Sequence, residues 1–202
     1  MGPRSFSGNW SRAIWPPNMP QKFGCGSPTS MTCESLPPTM KRTLVLGLGN
    51  PILSDDSVGL RVVQELQKVL PPQEDVVIDE DHWGGLRLME RLTGFDRAII
   101  IDAIQTGAAP GTIRILHPSE IPTQHSASAH DVNLPTALAF GRQMGLHLPP
   151  DDSIVLVAIE AEDVLTFGEQ CTPAVAAAIP HAVKLVKEIL SNWDRPTTEG
   201  ES

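Results

Sequence analysis

Short runs of unbroken apolar residues, alternating with segments of helical spacing, constrain this chain more than any other feature. The runs are Thr43 to Leu48 ("TLVLGL"), "VVID" (Val76 to Asp79), "AIIID" (Ala98 to Asp102) and "SIVLVAIE" (Ser153 to Glu160). A strand without polar alternation is buried on both faces, which is the habit of parallel sheets covered by helices. Between the runs, Val58, Val62, Leu66 and Val69 recur every three to four residues and predict a helix. Further helices are expected at Leu86 to Leu92 and Leu134 to Met144, with Pro135 confined to the first turn. A last one lies in "CTPAVAAAIPHAVKLVKEIL", where Thr172 is the N-cap, Pro173 the first helical residue and Pro180 the site of an expected kink. "GTIRIL" (Gly111 to Leu116) reads as a strand after a Pro-Gly turn. The expected fold class is α/β: three αβα layers, with a mainly parallel twisted sheet covered by helices on both faces.

The 202 residues suit one domain with appendages. The first 40, rich in Pro, Ser and Gly and without periodicity, read as a disordered extension, residues 41–193 as the domain, and residues 194–202 as a disordered tail. Met40 directly precedes the first apolar run, so Met1 and Met40 both stand as possible starts. Of the net charge of −9, the first 40 residues carry +2, leaving −11 on residues 41–202. A body of that charge repels nucleic acid. Three cysteines (Cys25, Cys33, Cys171) give neither a disulfide framework nor zinc-ligand spacing. With no 18-residue apolar run and no export signal, a cytoplasmic monomer is expected, away from membranes.

The first strand leads into "LGLGNPILSDDSVG", which begins like a dinucleotide loop. That fingerprint wants a third glycine where Ile52 stands, and Asp55 and Asp56 would repel a phosphate. "GLGNPI" is also similar to the opening of peptidyl-tRNA hydrolase, but the chain lacks tyrosine and the catalytic segment of that enzyme. For the acidic pair, capping of the following helix is one reading, and one acid suffices for it. In a parallel sheet, ligands bind outside the carboxyl ends of the strands. The acidic pair Asp55-Asp56, Asp102 at another strand end, and His130 in the loop just ahead of the helix at Leu134 can therefore share one edge. Two carboxylates and an imidazole suit a borderline divalent ion such as nickel or zinc.

With these three motifs in order, the chain resembles the nickel-iron hydrogenase maturation endopeptidases. "LGLGNPILSDDSVG", "IIIDAI" and "SAHDVNLPTAL" match the opening loop, the second acidic strand end and the histidine-bearing helix start of that family. The resemblance runs from about Arg42 to Leu190. It implies an endopeptidase that removes a C-terminal peptide from the hydrogenase large-subunit precursor after nickel insertion. Asp56, Asp102 and His130 are then both the catalytic and the metal-contacting residues, and the nickel comes with the precursor. Asp55 is left as a cap or as a support behind a ligand. A nickel-dependent chaperone or sensor that does not cut, and a nucleotide-binding module, are the alternative functions. The chain departs from the family at "EDHWGGL", where His82 and Trp83 stand before the glycines, and the roles of these two and of His125 stay open. Cys171, just ahead of a helix cap, is not expected to act as a nucleophile.

Overall fold

A computed structural model describes residues 41–82, 86–120 and 134–193 of the chain. The two expected disordered ends fall outside the described residues, as do Trp83, His125 and His130. The elements run β1 (Thr43–Leu48), α1 (Val58–Val69), β2 (Val76–Asp81), α2 (Leu86–Leu92), β3 (Arg97–Ile104), β4 (Ile113–Leu116), α3 (Leu134–Gln143), β5 (Ile154–Glu160) and α4 (Pro173–Trp193).

The five strands form one sheet in the order β2-β1-β3-β5-β4. All neighbours are parallel except β4, which pairs antiparallel with β5 at the edge. Strand side chains alternate, and the alternation builds two cores. Val45, Ile99, Ile101, Val157 and Ile159 point to one face, where Val62, Val63 and Leu66 of α1 and Val175, Ala182 and Val186 of α4 cover them. Leu44, Leu46, Ile100, Ile154 and Leu156 point to the other, under Leu88 and Leu92 of α2 and Leu138 of α3. The three layers expected from the unbroken apolar runs are thus present.

Local chemistry sets the element ends. Helix α1 stops at Val69 because Leu70 precedes Pro71 and is driven to extended geometry (φ −100°, ψ 125°). Val69, placed on the buried face by its spacing, is 51% exposed. Helix α4 begins as its sequence predicts, with the Thr172 carbonyl accepting from the Ala176 N–H at 2.8 Å. It continues through Pro180 without a break in the helix. Two strands outrun their apolar cores: β2 extends to Asp81 and β3 to Ile104.

Candidate functional site

The connection from β1 passes to β2 on one side while β3 lies on the other, so the strand order reverses between β1 and β3. A crevice opens at such a reversal, outside the carboxyl ends of the strands. Two glycines bring the first turn of α1 down into it. A β-carbon on Gly59 would stand 2.3 Å from the carbonyl oxygens of both Leu48 and Ile101, so only glycine lets the helix start rest on the ends of β1 and β3 together. Gly49, at φ 145°, lies so close to the Asp56 carbonyl that a β-carbon would meet it at 1.9 Å. These contacts set the start of α1, with Asp56 three residues before Gly59, against the carboxyl end of β3, where Asp102 follows Ile101.

The loop between β1 and α1 is a closed unit. Asn50 and Pro51 open a turn in which the Leu53 N–H donates to the Asn50 carbonyl (3.1 Å) and the Ile52 N–H to the Asn50 Oδ1 (3.2 Å). The Asn50 N–H donates in turn to Asp56 Oδ2 at 2.9 Å, joining the two ends of the loop. Asp56 is 4% exposed. Asp102 is half-buried, with Oδ1 accepting from the Ala103 N–H at 2.8 Å. Strand alternation turns it to the face covered by α2 and α3. His130 lies outside the described residues, four positions before the start of α3 on that face. Among the described residues no three His, Cys, Asp or Glu side chains are grouped to hold a metal ion.

Asp55 is not a cap. Neither the 3-10 turn at Asp55–Ser57 nor α1 has a side-chain cap. Instead the fully buried Asp55 carboxylate reaches across the chain. Its Oδ2 accepts from the Glu162 N–H (2.9 Å), the Asp163 N–H (2.9 Å) and the Thr172 hydroxyl (3.0 Å), and its Oδ1 from the Thr172 N–H (2.6 Å). Such donors offset the cost of burying a charge. The carboxylate fixes both ends of the segment joining β5 to α4.

Three acids at this edge escaped sequence reasoning or were misplaced by it. The apolar run suggested that β2 ends at Asp79, but Asp79 pairs with Arg91 and the strand closes on Asp81, which is 6% exposed and 3.4 Å from both Arg87 and Arg91. The continuing "DED" was the available signal. Glu160, ending β5, is 2% exposed and accepts from the Thr106 N–H (2.6 Å), the Thr106 hydroxyl (2.7 Å) and the Gly107 N–H (2.8 Å). His82 is exposed, and its Nδ1 donates to the Gly49 carbonyl at 3.1 Å, at the rim of the same loop. Burial pushes the Cys171 thiol up, away from the thiolate, with Sγ 3.7 Å from the Ser57 hydroxyl; this agrees with a residue that is no nucleophile.

Comparison with known proteins follows the same lines. The hydrogenase maturation protease family, HycI, matches residues 60–189, a span that includes Asp102 and His130 and begins just after Asp56. Hydrogenase expression/formation protein HupD of Rhizobium leguminosarum bv. viciae is 31% identical over 160 residues, 78% of this chain and 78% of that protein. The hydrogenase 2 maturation protease of Escherichia coli is 33% identical over 150 residues, 72% of this chain and 88% of that one. Among solved structures, the hydrogenase maturating endopeptidase HybD from Escherichia coli superposes with a TM-score of 0.66 at 30% identity, covering 76% of this chain and 94% of its own. The chain belongs to the hydrogenase maturation protease family.

Proposed function

We propose that this protease removes the C-terminal peptide of a nickel-iron hydrogenase large-subunit precursor after nickel insertion, and that it recognises the nickel the precursor carries. The observation that supports the reading is the close backbone approach at Gly49 and Gly59, which sets the loop bearing Asp56 against the ends of β1 and β3, one residue before Asp102. His130, by the family resemblance, is the third contact. Two carboxylates and an imidazole leave positions open on a divalent ion, which suits a metal still held by its owner. A metal so placed polarises a carbonyl or activates a water beside it. The residues of the chain orient the precursor, so that the scissile bond is presented only when nickel is in place.

The same reading makes the protein a cytoplasmic monomer, acting where the precursor is assembled. Among the described residues no helix is long and apolar enough to cross a membrane. The test is to incubate purified protein with nickel-loaded and nickel-free precursor and to weigh the products by mass spectrometry. Loss of a C-terminal peptide from the loaded form alone is expected. An intact C-terminus on bound, loaded precursor would instead identify a chaperone that does not cut. Equal cutting of both forms would remove the role of nickel.

A further inference from the structure

Leu165 and Phe167 are the most exposed large apolar side chains among the described residues, at 78% and 77%. Both lie on the segment joining β5 to α4. That segment forms a short antiparallel ribbon with the β1–α1 loop: Leu53 pairs with Phe167, the Ser54 N–H donates to the Thr166 carbonyl (3.0 Å), and the Gly168 N–H donates to the Ile52 carbonyl (3.1 Å). This bonding makes Leu53 and Phe167 a non-hydrogen-bonded pair, in which side chains on one face lie closest. Ile52, 57% exposed, falls on the other face.

The ribbon is held firmly. Asp55 ties it at Glu162, Asp163 and Thr172, Val164 is buried in the core, and Asp163 Oδ1 accepts from the Leu165 and Thr166 N–H groups at 3.0 and 2.9 Å. The Ser54 hydroxyl donates to the Gln170 carbonyl at 3.0 Å, and the Arg61 guanidinium donates to the Glu169 carbonyl. A fully buried carboxylate is thus spent on a segment that keeps a leucine and a phenylalanine in water. Exposed apolar side chains on a fixed frame mark a surface for a partner.

The partner is indicated by position and by charge. The ribbon grows from the loop that Asp56 closes through Asn50, so a chain lying along it is brought next to the loop that carries Asp56. Glu162 and Glu169 are exposed on the same segment. We propose that Leu165 and Phe167 form the docking ridge for the precursor polypeptide beside its scissile bond, a stretch carrying apolar side chains next to a cationic residue. This rests on the function proposed above. The ridge selects substrate by binding, while Asp56 and Asp102 face the metal, so loss of the ridge raises KM and leaves kcat in place.

The experiment measures precursor binding and precursor cutting separately, with nickel-loaded precursor, for the wild type, the double variant Leu165→Ser/Phe167→Ser, Phe167→Leu, and Phe140→Ala as an exposed apolar control on α3. The double variant should weaken binding and raise KM at least about tenfold, with kcat within about twofold and an unchanged melting temperature. Phe167→Leu should restore most of the binding, and Phe140→Ala should match the wild type. Wild-type cutting with an unchanged KM in the double variant overturns the ridge and leaves the function standing. Wild-type binding without cutting overturns the function, and weaker binding by the double variant then still supports the ridge. A wild type that does neither overturns both.

Discussion

Gly59 and Ile101 approach so closely that a β-carbon on the glycine would stand 2.3 Å from the isoleucine carbonyl oxygen. No real pair of atoms of that kind comes so near, and backbone on both sides leaves no flexible group to yield. Gly59→Ala should therefore lift α1 from the ends of β1 and β3, separating Asp56 from Asp102. A loss of at least about 2 kcal/mol in urea unfolding is expected, with processing abolished even where the variant folds. A variant with wild-type stability and activity would show that the helix start does not position the pair.

Asp55 answers a different question from Asp56. Replacing it with alanine strands the N–H groups of Glu162, Asp163 and Thr172 in a buried place, at a cost of about 3 to 5 kcal/mol. Asn at this position sets an amide N–H₂ against donors and should cost about 2 kcal/mol. The amide is no better than a partial substitute, although a helix cap would have accepted it readily. Urea midpoints decide the point: a stable Asp55→Asn protein would return the residue to a capping role.

Asp56→Asn and Asp102→Asn should behave oppositely, keeping most of the stability and losing the reaction. The Asn50 N–H can still donate to an amide oxygen at position 56. Each substitution removes one of the proposed anionic metal contacts, and on that proposal a fall in processing of about 100-fold or more, equivalent to about 2.7 kcal/mol, is expected. His130→Ala should do the same for nickel-loaded precursor. Normal processing by any of the three, read on a gel against the wild type, removes that residue from the site.

Glu160 governs part of the acid response. Burial acts to raise its pKa, but the hydrogen bonds from the Thr106 hydroxyl and N–H, and from the Gly107 and Ala108 N–H groups, outweigh burial and hold the carboxyl below its ordinary value. A group with a lowered folded pKa contributes stability that is complete above its unfolded value, about 4.3, and lost as pH falls through the folded value. Urea midpoints should therefore be level from about pH 7 to 5 and fall below that. Glu160→Gln should be less stable at neutral pH, by about 2 kcal/mol, and should fall less steeply in acid. Parallel curves for the two proteins would exclude Glu160 as a source of the acid limb.

The layers and the helix starts could be read from the sequence because they follow from local facts. Unbroken runs such as Ala98 to Ile101 mark buried strands, and Thr172-Pro173 marks a helix start. Partners distant in sequence were not legible. Asp55 finds its donors 107 to 117 positions away, and Glu160 finds Thr106 across 54. No local spacing distinguishes a carboxylate that will bind three backbone N–H groups from one that will cap a turn. Asp56 and Asp102 stood out because strand ends share an edge in a parallel sheet, whereas Leu165 and Phe167 lay in a segment with no regular period.

The bond from Asp55 to Thr172 also has a meaning in time. A chain made from its N-terminus exposes Asp55 early, and the residue that receives it emerges 117 positions later, at the start of the last helix. Until then α1 alone covers its face of the sheet, and Asp55 holds the segment bearing Phe167 only at Glu162 and Asp163. The ribbon therefore gains its tie to Thr172 only after all five strands of the sheet have been made.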